Sequence, residues 1–145
     1  MAYKRVRPYP SENRKLTEKK CCTCGRVLPI AAFDWNGRGD WIAKCRKCKQ
    51  AKAKLYTEKR REMLNAIKEG YGCQCGCGEN ASPALLFHHR DPSKEVAAVG
   101  TMVSSYMWKL LTEIAKCDVM CFNCHAKAHA GLIPFPSRKK DIEAV

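Results

Sequence analysis

The residues best suited to chemistry are four histidines in two close pairs, His88–His89 and His125–His129. A spacing of four puts both members of the second pair on one face of a helix, which is chelating geometry for a cation. His88 and His89 end the apolar stretch 84–89 (ALLFHH). In a strand they point to opposite faces, although a strand end at a turn can aim each one separately. The cysteines form the second set. Cys21-x2-Cys24 and Cys45-x2-Cys48 are two CxxC turns with the spacing of a four-thiolate zinc site. Cys121-x2-Cys124 is another half-site, and its partners must come from Cys73, Cys75 and Cys77. Cys73 with Cys77 brackets one loop and is the preferred pair, with Cys75 the alternative to either. Cys22 sits between ligands as a spare thiol, and Cys117 reads as a small buried residue.

Placing these groups needs short elements and metal-organised loops. Residues 21–48 carry turn-forming glycines and Pro29 but no apolar pattern of their own, so metal must stand in for a core. Residues 50–69 lack Gly and Pro and are rich in helix formers. This predicts a helix with Tyr56, Arg60, Met63 and Ile67 on one face, Leu55 and Leu64 nearby, and Gly70 as C-cap. Residues 71–82 read as a Cys/Gly loop and 84–89 as a short buried strand. Residues 104–116 predict a helix capped by Ser104 or Ser105, with Trp108, Leu111 and Ala115 lining one face and Leu110 and Ile114 adjacent. A last helix spans about Asn123 to Ala130 and closes at Gly131.

Composition narrows the function classes. The chain has 145 residues, 11 cysteines and a formal charge of +13. Residues 1–68 carry 19 Lys and Arg against 6 Asp and Glu, whereas residues 69–145 carry 8 against 8. A basic half joined to a neutral half suggests that one part attracts a polyanion and the other does different work. Nucleic acid is the first candidate partner. No apolar run approaches a membrane span, and the first residues have no apolar signal-peptide region. The expected location is the cytoplasm, that of the host if the chain is phage-encoded, where paired cysteines favour metal over disulfides.

The segment Leu86-Phe87-His88-His89-Arg90-Asp91-Pro92, followed by Cys121-Phe122-Asn123-Cys124-His125-Ala126-Lys127-Ala128-His129, resembles the HNH endonucleases of the zinc-bound phage and prophage type. The resemblance covers about residues 73–131. It implies an α+β fold of small zinc-stabilised domains: a ββα-metal core preceded by a treble-clef or ribbon-like zinc module and a basic helix. It also implies roles. His88, His125 and His129 would hold one catalytic divalent cation, and His89 would be the general base. Cys73, Cys77, Cys121 and Cys124 would brace the core with zinc. One departure stands out. The family's middle Asn falls on Lys116, leaving the support of His89 to Asp91, Asp118 or a backbone carbonyl.

The expected organisation is a basic arm at 1–20, a zinc module at 21–49, a basic helix at 50–70, a nuclease domain at 71–133 and a tail at 134–145. The expected activity is metal-dependent hydrolysis of DNA phosphodiester bonds, with two structural Zn²⁺ and one Mg²⁺, Mn²⁺, Ni²⁺ or Zn²⁺ at the active site. Lys44, Arg46, Lys47, Lys49, Lys52, Lys54, Lys59, Arg60, Arg61 and Arg90 are the expected DNA contacts. Partners beyond DNA are a second copy of the chain or a packaging or recombination protein. The alternative is a non-catalytic zinc protein that binds nucleic acid, which leaves the clustered histidines unexplained.

Overall fold

The computed structural model describes residues 15–37 and 40–136. Most of the expected basic arm and tail therefore lie outside the described residues. The chain divides into two compact units, Met1–Tyr56 and Thr57–Val145. The architecture is mixed α+β, with short two-stranded sheets, helices and cysteine clusters.

The first unit holds two antiparallel hairpins. Strand β1 (Glu18–Lys20) pairs with β2 (Val27–Pro29), and β3 (Phe33–Trp35) pairs with β4 (Trp41–Cys45). Three-residue strands bury little, and the core reduces to Phe33, Cys21 and Cys45, with Leu28, Ile30 and Trp41 packed against them. Trp35 and Trp41 meet edge-to-face at 5.1 Å. So small a core agrees with the expectation that thiol chemistry organises this segment.

Helix α1 (Arg46–Tyr71) starts directly after Cys45 and passes into the second unit. It is longer than expected at both ends. Gly70 stays helical, and Gly72 takes the left-handed conformation at φ 59° instead, donating its N–H to the Lys68 carbonyl. Leu55 and Tyr56 are more than half exposed, and burial begins only at Arg60 and Leu64.

In the second unit, β5 (Leu85–His89) and β6 (Cys117–Cys121) form an antiparallel pair with Leu85 opposite Cys121 and His89 opposite Cys117. Helix α3 (Phe122–His129) follows β6 without a loop, and the Cys121 thiol caps it by accepting the Cys124 N–H. Between the strands lies helix α2 (Met107–Ile114), preceded by a 3-10 turn at Val99–Ser104. α2 is shorter than expected and has no side-chain cap, because Ser104 and Ser105 belong to or follow that turn. Its buried face is also different. Leu110 and Glu113 face inward, whereas Trp108 and Leu111 are exposed at 65% and 47%. Leu110 packs with Leu64, Val99, Met102, Val103 and Cys117. A second cluster, around Leu85, Val119, Met120 and Ala128, joins the hairpin to α3.

Candidate functional site

Three groups of side chains offer converging donor atoms, each group within 4.8 Å: Cys21, Cys24, Cys45 and Cys48; Cys73, Cys77, Cys121 and Cys124; and His88, His125 and His129. All eleven cysteines are free. The first two groups are complete four-thiol sets that could hold structural zinc. The loop contributes Cys73 and Cys77, and Cys75 lies outside the set. Cys22 is exposed, and Cys117 is buried with its thiol donating to the Glu113 carbonyl.

Backbone donors reach thiols in both sets. In the first, Cys21 accepts the N–H groups of Cys45 and Thr23, each at 3.4 Å. These and the Cys24 N–H, led by Cys45, lower its thiol to about 5. The Arg26 guanidinium lowers Cys24. Cys48 moves the other way, to about 12, chiefly through its hydrogen bond with Cys45, and Cys124 rises chiefly through Cys121. Four thiols at this spacing share protons, which a bound cation would displace. In the second set, the Cys73 thiol accepts the Cys121 N–H at 3.2 Å, and Cys77 and Cys121 sulfurs lie 3.7 Å apart.

The histidine group draws on two elements. His88 comes from β5, and His125 and His129 from successive turns of α3. Ring centroids lie 5.0 Å (His88–His125), 5.3 Å (His88–His129) and 4.5 Å (His125–His129) apart. The Nε2 atoms of His125 and His129 approach to 3.2 Å. Two nitrogens bound tetrahedrally to one zinc at ordinary bond length stand about 3.4 Å apart, so the pair already has chelating separation. Burial lowers His88 first, and the neighbouring His125 and His129 lower it further; burial and His129 lower His125. Both shifts favour the neutral, ligating imidazole. With three donors, the group leaves coordination positions open, unlike the four-thiol sets.

His89 does not join this group. Strand alternation turns it to the other face, where it is 8% exposed and its Nε2 lies 2.8 Å from Glu113 Oε1. Glu113 is 2% exposed. Its Oε1 also accepts the Val96 N–H at 2.8 Å, and its Oε2 accepts the Lys116 ammonium at 2.7 Å. Lys116, then the Val96 N–H, hold the Glu113 carboxyl down to about 2. An ionised carboxylate only accepts, so His89 donates from Nε2, while its Nδ1 lies 3.8 Å from Glu95 Oε1.

Glu113 is the residue that sequence reasoning missed, and it corrects the expected support for His89. Asp91 caps its own turn through Ser93 and pairs with Lys94. Asp118 is buried against Arg90 at 2.9 Å. Lys116, at the expected Asn position, ties the Lys94 carbonyl to Glu113. The only signal in the sequence was an acid three residues before Lys116 on a predicted helix, which reads equally well as a surface pair.

The basic residues divide as well. Arg46, Lys47, Lys49, Lys52, Lys54, Lys59 and Arg61 are exposed, with Arg46 and Lys49 both paired to Asp34, and Lys44 is half-buried. Arg60 departs from its expected surface role. Its guanidinium is buried and donates to the carbonyls of Val103, at 2.7 Å, and Ser105. Arg90 is also committed, to the Asp118 carboxylate and the Cys117 and Ala115 carbonyls. Among the described residues no helix is long and apolar enough to cross a membrane. Comparison with protein-family models, with curated proteins and with solved structures finds no match to this chain.

Proposed function

We propose that the chain is a metal-dependent DNA endonuclease of the HNH type, with β5, β6 and α3 as its ββα core. The observation that carries this is the pairing of an open three-imidazole cluster with a neighbouring histidine whose tautomer is set by a buried carboxylate. His88, His125 and His129 would hold one divalent cation. Such an ion supplies Lewis-acid stabilisation of the phosphate oxygens and the leaving 3′-oxygen. His89 would take the proton of the attacking water on Nδ1, the nitrogen that Glu95 Oε1 faces at 3.8 Å, and Glu113 would stabilise the imidazolium that results. The exposed lysines and arginines of residues 46–61 would hold phosphates without reading bases. The two four-thiol sites would carry zinc in a structural role.

The test is incubation of full-length protein with supercoiled plasmid, with Mg²⁺ or Mn²⁺ and with EDTA. Metal-dependent nicking is expected. His89→Ala should abolish it while leaving DNA affinity nearly unchanged. Tight binding with no cleavage under any cation would instead favour a non-catalytic zinc protein that binds nucleic acid.

A further inference from the structure

Phe135 touches the histidine cluster yet has no part in the chemistry above. Its ring stacks on His88, with centroids 4.8 Å apart and planes 7° apart, and meets His129 edge-on at 5.2 Å and 83°. The chain is built to bring it there. Gly131 ends α3 at φ 72°, while the Leu132 and Gly131 N–H groups bond to the carbonyls of Lys127 and Ala128. This Schellman turn reverses the backbone at the end of α3. Ile133 then packs on the core cluster that includes Ala128 of α3. Phe135 follows two residues later and reaches the histidine rings. Pro134 and Pro136 restrict the backbone around it and reduce the entropy lost in fixing the ring.

Ligating histidines usually donate their second ring nitrogen to a carboxylate, carbonyl or water, which fixes the ring. We infer that Phe135 is a positioning residue for the cation site: its ring, stacked on His88 and edge-on to His129, holds both in ligating orientation. The His88 ring cannot swing about its Cβ–Cγ bond without displacing Phe135. This inference rests on the three histidines being a cation site.

The experiment is calorimetric titration of zinc-loaded, full-length protein with Ni²⁺, with zinc content checked afterwards. Wild type should take up one Ni²⁺, and His125→Ala should take up none. Phe135→Ala and Phe135→Leu should each bind about tenfold more weakly or worse, the range seen for lost outer-shell partners, while Phe135→Trp restores binding to within about threefold. In zinc-loaded protein without Ni²⁺, the His88 ring protons should resonate upfield in wild type and lose that shift in Phe135→Leu. Affinity in Phe135→Leu equal to or tighter than wild type overturns the inference and leaves the cation site standing. Failure of wild type to bind Ni²⁺ removes the cation site and the inference with it.

Discussion

Replacing Glu113 with Ala tests the idea that one buried carboxylate sets the state of His89. The substitution removes the acceptor for three donors: His89 Nε2–H, the Val96 N–H and the Lys116 ammonium. Lys116 is 31% exposed and finds water, so its loss counts for little. His89 is only 8% exposed and its donor stays buried, whereas Val96 is 74% exposed and its N–H reaches water, so the loss is about 1–3 kcal/mol, carried by His89 Nε2–H. In a unit of this size that lowers the melting temperature by about 4 °C or more. His89 also loses its anchor, and nicking should fall by about two orders of magnitude, within the range that general-base catalysis supplies. Long-range proton–nitrogen NMR gives a readout free of cleavage: His89 should be a single Nε2–H tautomer in wild type and a mixture in Glu113→Ala. A variant that melts within about 2 °C of wild type, or keeps the single tautomer, would refute the reasoning.

The adjacent arginines of α1 should separate. Arg60→Ala strands the Val103 and Ser105 carbonyls and should cost about 2–4 kcal/mol in denaturant titration. Arg61→Ala should stay within about 0.5 kcal/mol while lowering both DNA affinity and the salt slope, the latter by about one. Cys77→Ser should leave one zinc per chain and Cys75→Ser two, measured by elemental analysis; equal zinc counts would contradict the ligand set. Protons compete with the cation for imidazole nitrogens, and His88 and His125 are held below the ordinary 6.5. Ni²⁺ affinity should therefore hold as pH falls to that value and drop only below it; a midpoint above 6.5 would contradict this sign.

Ligand spacing was legible because it is local. CxxC turns and an i, i+4 histidine pair bring donors together within a few residues of chain, whatever the rest of the fold does. The preference for Cys73 and Cys77 over Cys75 also followed from loop geometry. Glu113 was not legible, because its partners His89 and Val96 reach it only when the long connection between β5 and β6 folds back. Apolar periodicity chose Trp108, Leu111 and Ala115 as the inward face of α2, with Leu110 and Ile114 beside it; the buried residues are Leu110 and Glu113, the latter a carboxylate that satisfies three donors. Arg60 misled for the same reason. In sequence it is one more charge in a basic run, and only the 3-10 turn at Val99–Ser104 and the Ser105 that follows it supply the carbonyls it donates to.

Helix α3 explains how so small a core can bring three imidazoles together. At eight residues it is too short to be stable alone. Its N-cap is the Cys121 thiol, which is also a candidate zinc ligand, and Cys124 in its first turn is another. Zinc binding energies of about 10–16 kcal/mol in small sites far exceed the cost of ordering one such helix. The residue after Cys124 is His125, about 100° further round the axis, so the same two turns that serve the thiol set also aim His125 and His129 at His88. The two sets then divide by coordination number. Four thiolates saturate a tetrahedral ion and leave no position for substrate, which confines that ion to holding geometry. Three imidazoles would leave positions free on an ion they held, at a place on the helix that the thiol cluster determines.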